Sequence, residues 1–219
     1  VRRQVTSQTH NDGVVAMTYS EFTLTKVRET FDLILDESQN LFSGVAEVQP
    51  SHLLKMVLDE YLSLAIDINS EKARSEFIIA PVLGDIRRQT NYQISLFSGK
   101  EFDVDAERGL TGYCDFILSC SKEQLYIQAP VAIVVEAKNE NMIGGMGQCI
   151  AGMVAAQLFN QRVQNQIEQI YGVVTTGTNW RFLKLNNKTV WIDKVEYYIS
   201  DIGKILGIFL EPLQLILGH

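Results

Sequence analysis

The sequence predicts an α/β fold: a mixed central β-sheet flanked by helices, with a helical extension before it and a helix after it. Three observations lead there. Residues 71–190 pass from helical spacing to short β-branched runs, then to a helix of small residues, then back to strands. Residues 132–138 (AIVVEAK) form an apolar, β-branched run suited to a buried central strand. The 219 residues are 46% apolar and 21% charged, the composition of a chain that buries a core.

Taken in order, residues 1–18 are polar and unpatterned and read as a loose arm. Residues 23–35 have helical spacing, with Val27, Phe31 and Leu35 at i, i+4 and i+8, and residues 36–49 are turn-rich. Pro50 opens a second helix reaching residue 68, one face marked by Leu53, Leu54, Val57, Tyr61, Leu62 and Ala65. Ser70 is placed to cap a helix over 71–88, which Pro81 should kink or divide. Residues 93–97 and 101–104 alternate around Ser98, Gly99 and Lys100, a hairpin pattern. A strand over 113–119 carries Asp115, and the strand over 132–138 follows. Gly144, Gly145 and Gly147 lead into a helix ending near 163, whose small residues suit close packing on a sheet. The glycine run lacks the GxxxxGK[ST] pattern and reads as a flexible connector rather than a nucleotide loop. Strands at 170–175 and 180–185 flank a turn at 177–179, residues 189–192 read as an edge strand, and 195–217 are largely helical. The implied division is an arm and helical extension packed on the core over 1–69, a core over 70–193 and a C-terminal helix over 194–219.

Charge narrows the function classes. The net charge of −7 counts against a generic nucleic-acid coat, which needs a basic surface. The excess acid lies in the flanks, since residues 71–190 carry twelve basic and twelve acidic side chains. Cys114, Cys120 and Cys149 form no CxxC pair, and His10, His52 and His219 are scattered, so spacing suggests neither a disulfide framework nor a zinc site. The first residues are basic but lack an apolar run, so no signal peptide is expected. Lys204, Glu211 and Pro212 interrupt the apolar stretch over 202–217, which falls short of the ~18 clean residues of a membrane span. A cytoplasmic protein with buried thiols, and no membrane partner, is the expectation.

Side chains two apart on a strand share a face, so Glu136 and Lys138 project together at the end of an otherwise apolar strand. Two charges there are costly unless paired or bound to an ion. Asp115 is a similar oddity within Tyr113-Cys114-Asp115-Phe116-Ile117-Leu118. Adjacent strands would bring Asp115 and Glu136 within reach of one divalent cation, a hard ion that takes oxygen ligands.

Asp115, followed after twenty residues by Glu136-Ala137-Lys138, resembles the D…ExK signature of the PD-(D/E)XK nuclease superfamily. Glu76 in the preceding helix and Gln148 at the start of the following helix extend the likeness, and the element order is similar to the αβββαβ core of the restriction-endonuclease-like fold. The proline of the signature is absent, and Tyr113-Cys114 precedes the acid. Within the superfamily the chain most resembles the type I restriction-subunit and RecB-like branches. The resemblance implies Mg²⁺, with Mn²⁺ as a substitute, held by Asp115, Glu136 and the backbone carbonyl of Ala137. It implies that Lys138 orients or deprotonates the attacking water and stabilises developing charge, that Glu76 holds a metal-bound water or second metal, and that Gln148 helps hold the site or contacts the phosphate backbone. Glu71, five residues before Glu76, is placed to take the same role from another angle but reads as electrostatic support for the helix N-terminus. The implied activity is hydrolysis of phosphodiesters, most simply in DNA, in restriction, repair or mobile-element biology. Arg87, Arg88, Thr176, Asn179, Arg181 and Lys184 are candidate nucleic-acid contacts. The terminal helices are candidate surfaces for a second copy or a partner subunit. Two other readings stand beside this one: a non-catalytic module binding DNA or protein, and an α/β domain binding a small anion.

Overall fold

A chain with alternating and helical apolar patterns must bury both faces of its sheet, and it does so with helices on each side. The computed structural model describes residues 17–165 and 167–218, so most of the expected arm over 1–18 lies outside the described residues. The helices are α1 (Leu24–Phe31), α2 (His52–Ile68), α3 (Glu71–Arg74), α4 (Ala80–Gln89), α5 (Met142–Arg162) and α6 (Ile202–Leu217). The strands are β1 (Ile34–Asp36), β2 (Ser95–Glu101), β3 (Tyr113–Ser119), β4 (Val131–Ala137), β5 (Gln169–Thr175), β6 (Asn179–Asn186), β7 (Thr189–Ile192) and β8 (Tyr197–Tyr198). They form one mixed sheet in the order β1-β7-β6-β5-β4-β3-β2, with β8 paired to the start of β6. Strands β2, β3 and β4 pair antiparallel in succession, whereas β4 and β5 are parallel with α5 as the crossover. The expected αβββαβ order is therefore present from α3 to β5.

One apolar layer packs α1 and α5 on the sheet through Val27, Ala151, Val134, Val174 and Leu183. The other packs α4 and α6 through Ile86, Val135, Val173, Phe182 and Phe209. Helix α5 is 21 residues long and apolar enough to cross a membrane by length and composition, yet 61% of its most apolar window is buried against its neighbours. It begins at Asn141, whose Oδ1 accepts the Gly144 N–H at 2.9 Å. The glycines are thus helical residues, not a flexible connector. Gly147 has a steric reason: a Cβ there would strike the backbone of Phe22 and Thr23, which cross directly over the helix.

Several expected elements change. The helix over 23–35 stops at Phe31, because Asp32 turns left-handed (φ 51°) and returns its N–H to Arg28 and Glu29. Ile34–Asp36 becomes β1, parallel to β7, so β7 is an interior strand rather than the edge. The expected hairpin at 98–100 is absent: β2 runs straight through it, with Gly99 alone at φ 57°. The helix over 71–89 is divided by a π turn at Ser75–Ile79, just before Pro81. Pro81 has no N–H, and its ring crowds the carbonyl four residues back; the wider turn accommodates both.

Candidate active site

The ladder between β3 and β4 is continuous from Leu118↔Ile133 to Phe116↔Val135, and in the same register Asp115 would face Glu136. There the strands part. The Ala137 N–H turns to Asp115 Oδ2 at 2.7 Å, so a carboxylate replaces a backbone acceptor. The Lys138 N–H stays with β5, donating to the Thr175 carbonyl at 2.8 Å. The Glu136 side chain is 3% exposed and that of Lys138 24% exposed; the Lys138 ammonium lies 2.5 Å from Glu136 Oε1. It also faces Gln148 Oε1 on the first turns of α5, at 3.5 Å, the outer limit of a hydrogen bond. The expected partners Asp115, Glu136, Lys138 and Gln148 thus meet at one end of β4.

Their charges do not balance. Burial, with the charge of Asp115, pushes the Glu136 carboxyl up to about 8, although Lys138 pulls the other way. Burial also raises Asp115, against the Ala137 N–H and the Lys138 charge, which favour its ionised form. For Lys138, burial works to lower the ammonium pKa, but Glu136, Glu71 and Asp115 hold it above its ordinary value. Cys114, beside this cluster, is pushed well above the usual thiol range by burial and by Glu136 and Asp115, so it is an inert thiol.

A third carboxylate acts on the cluster, and it is Glu71 rather than Glu76. An open cleft of about 230 Å³ is lined by Glu71, Lys72, Ser75, Ser98, Gly99 and Asp115. Glu71 contributes to the charge felt by both Glu136 and Lys138. Glu76 instead pairs with Lys72 at 2.7 Å, with side chains 52% and 80% exposed, and does not line the cleft. Both acids lie on the same stretch of helix, but Glu71 precedes the π turn and Glu76 falls within it. Glu71 sits at the very start of the helix, next to the cap Ser70, the position read from the sequence as electrostatic support for the helix end, and from there it reaches the cleft.

The donor set suits a hard divalent cation: carboxylate oxygens at a strand end, with three acids around one ammonium. Among the described residues no three His, Cys, Asp or Glu side chains gather as a ready-made cage. A cation here would therefore add carbonyl and water oxygens to Asp115 and Glu136, as Mg²⁺ commonly does.

No protein-family model matches the chain, and no curated protein matches it.

The candidate nucleic-acid contacts divide by location. Thr176, Asn179 and Arg181 lie where β5 turns into β6, beside the end of β4. That turn is braced by Arg74, which donates to the Thr176 carbonyl at 3.0 Å and to Thr178 Oγ1 at 3.3 Å. Thr176 Oγ1 accepts the Asn179 N–H at 3.1 Å, and Asn179 Nδ2 donates to Glu196 Oε1 at 2.6 Å. Arg87 and Arg88 end α4, roughly 25 Å along the helix from Glu71. Arg87 is also engaged, with its Nε on the Ile94 carbonyl and its guanidinium over Tyr92. Lys184 lies over the Trp191 ring, with its strand neighbours Leu183 and Leu185 in the α5-side layer. The structure does not bring Arg87, Arg88 or Lys184 to the cleft.

Proposed function

We propose that this chain is a metal-dependent phosphodiesterase of the PD-(D/E)XK type, acting on DNA as an endonuclease in the cytoplasm. The observation that carries the reading is the convergence of Asp115, Glu136 and Lys138 where β3 and β4 part, with more buried acid than the one ammonium can balance. Mg²⁺ or Mn²⁺, held by Asp115, Glu136 and the Ala137 carbonyl, would supply the missing positive charge and lower the pKa of a bound water. Lys138, its ammonium set by Glu136 and Gln148, would orient the attacking water and stabilise charge developing on the phosphate. Glu71 takes the helix-borne supporting role that the resemblance gave to Glu76. Restriction, repair and mobile-element processing are the settings in which such an activity is used.

A second reading, a non-catalytic module with a protein partner, is favoured by one feature. Helix α2 leaves Leu53, Met56, Leu64 and Ile68 exposed on a surface of acidic sequence. Calorimetric titration of Mn²⁺ or Mg²⁺ into wild type and Glu136→Ala, with plasmid nicking on the same samples, separates the readings. Binding lost in the variant, with nicking by the wild type, supports the nuclease. Binding without nicking supports the module, and no binding by the folded wild type overturns the metal site.

A further inference from the structure

Arg181 is an uncommitted cation on the same sheet face as the candidate site. In the sheet register Glu136 is opposite Val174, and Val174 is opposite Arg181. Residues directly opposite on neighbouring strands project to the same side, so Glu136 and Arg181 share a face. They are two strand spacings apart, roughly 10 Å along the row. Val134 and Leu183, one step along, both belong to the α5-side layer and confirm that parity.

The guanidinium is poorly satisfied where it stands. Its Nε is buried with no hydrogen-bond partner among the described residues. Its one ion pair among the described residues is loose: Nη2 lies 3.9 Å from Glu196 Oε2, beyond hydrogen-bond reach. Glu196 is held instead by Asn179, at 2.6 Å. Arg181 remains 24% exposed, so it is reachable from solvent. Lys138, by contrast, is committed to Glu136. A guanidinium presents a planar fork that matches the oxygens of a phosphate, and an unfilled fork beside a phosphodiester site has a natural ligand.

We propose that Arg181 is a phosphate clamp, holding a backbone phosphate that adjoins the one addressed by Asp115, Glu136 and Lys138. The inference rests on the nuclease reading and deepens it, because it names a second point of contact on the same nucleic-acid strand. Asn179 holds Glu196 in the position of a stand-in, and an incoming phosphate takes its place at the guanidinium. The reacting phosphate lies at Asp115, Glu136 and Lys138, two strands away, so Arg181 positions the strand and takes no part in the bond-breaking step.

The test uses the whole chain with a short labelled DNA duplex, its separated strand and inorganic phosphate as probes. Binding is measured with Ca²⁺ present and across a salt series, for wild type, Arg181→Gln, Arg181→Lys and Glu196→Gln. Arg181→Gln should weaken DNA binding about tenfold and reduce the salt slope by about one, while Arg181→Lys keeps the slope. Glu196→Gln should tighten binding, since it frees the guanidinium. In cleavage assays Arg181→Gln should raise KM and leave kcat near wild type. If the pair is merely structural, Arg181→Gln and Glu196→Gln will lower thermal stability alike and leave DNA affinity unchanged, which overturns the clamp. Arg181-dependent binding of inorganic phosphate without DNA binding by the wild type also overturns it, in favour of a free-anion site. Mg²⁺ titration of the same samples keeps the two readings apart: metal binding with Arg181-independent DNA binding overturns the clamp alone, whereas no metal binding overturns the nuclease reading beneath it.

Discussion

The strand pair β3–β4 has two ends, and they treat buried polar atoms in opposite ways. At the Val131 end the polar side chains that complete the pair, Asn160 and Ser119, are neutral and engaged. Asn160, 1% exposed, donates from Nδ2 to the Val131 carbonyl and accepts the Val131 N–H, both at 2.8 Å, so an amide side chain completes the ladder as a strand would. Ser119 Oγ, just across, reaches the Pro130 carbonyl at 3.0 Å. At the Glu136 end, Asp115, Glu136 and Glu71 act on one ammonium, and both strand acids hold their protons more tightly than usual. The first end is finished by the chain itself. The second leaves buried acid unbalanced, and the proposed cation site rests on that imbalance.

The sharpest way to break this contrast is at the charged end. Lys138→Ala should lower the cleavage rate by about 10²–10⁴-fold while Mn²⁺ still binds, as read by calorimetry and nicking on the same protein. At the neutral end, Asn160→Ala leaves two buried backbone groups unpaired and should cost roughly 2–3 kcal/mol in urea denaturation, with metal affinity unchanged for the folded protein. The third outcome is a slope. The folded Glu136 carboxyl titrates near 8, above its unfolded range, so its contribution is complete below the unfolded pKa and is lost as pH rises through the folded one. Metal-free protein should therefore lose stability between about pH 5 and 8, by up to about 1 kcal/mol per pH unit. Mg²⁺ should offset the loss and Glu136→Gln should flatten it, both read from melting temperature against pH. The smallest effect compares two acids on one helical stretch. Glu76→Gln breaks only an exposed pair and should change stability by about 0.5 kcal/mol or less, with no effect on metal binding. Glu71→Gln should alter metal affinity measurably, and equal behaviour of the two variants would remove Glu71 from the site.

What was legible in the sequence follows the range of the forces involved. The run over 132–138 declares β4 because every residue from Val131 to Ala137 is buried, and Asp115 and Glu136 stand out as acids in apolar strands. Strand β3 and the small-residue face of α5 are equally local signals. Strand β1 was not legible: Val27, Phe31 and Leu35 keep helical spacing, and only the left-handed Asp32 and a partner strand far along the chain separate Leu35 from the helix. Ser98-Gly99-Lys100 has the composition of a turn, yet pairing of Ser98 with Phe116 and Lys100 with Cys114 carries the strand through it. Glu76 was preferred to Glu71 for a similar reason. Sequence spacing alone does not reveal a π turn, and that turn separates the acid that lines the cleft from the one that pairs on the surface.

The pairing of β1 with β7 sets a condition on the order of assembly. Ile34 meets Thr189, so the earliest strand described in the chain can find its place only after nearly all of the sheet has left the ribosome. Such distant pairings slow folding, and until β1 docks, the open side of β7 presents unpaired backbone groups to any other strand. Strand β1 therefore joins the sheet late and replaces the four-residue edge of β7 with a three-residue one, and a very short edge recruits other strands less readily.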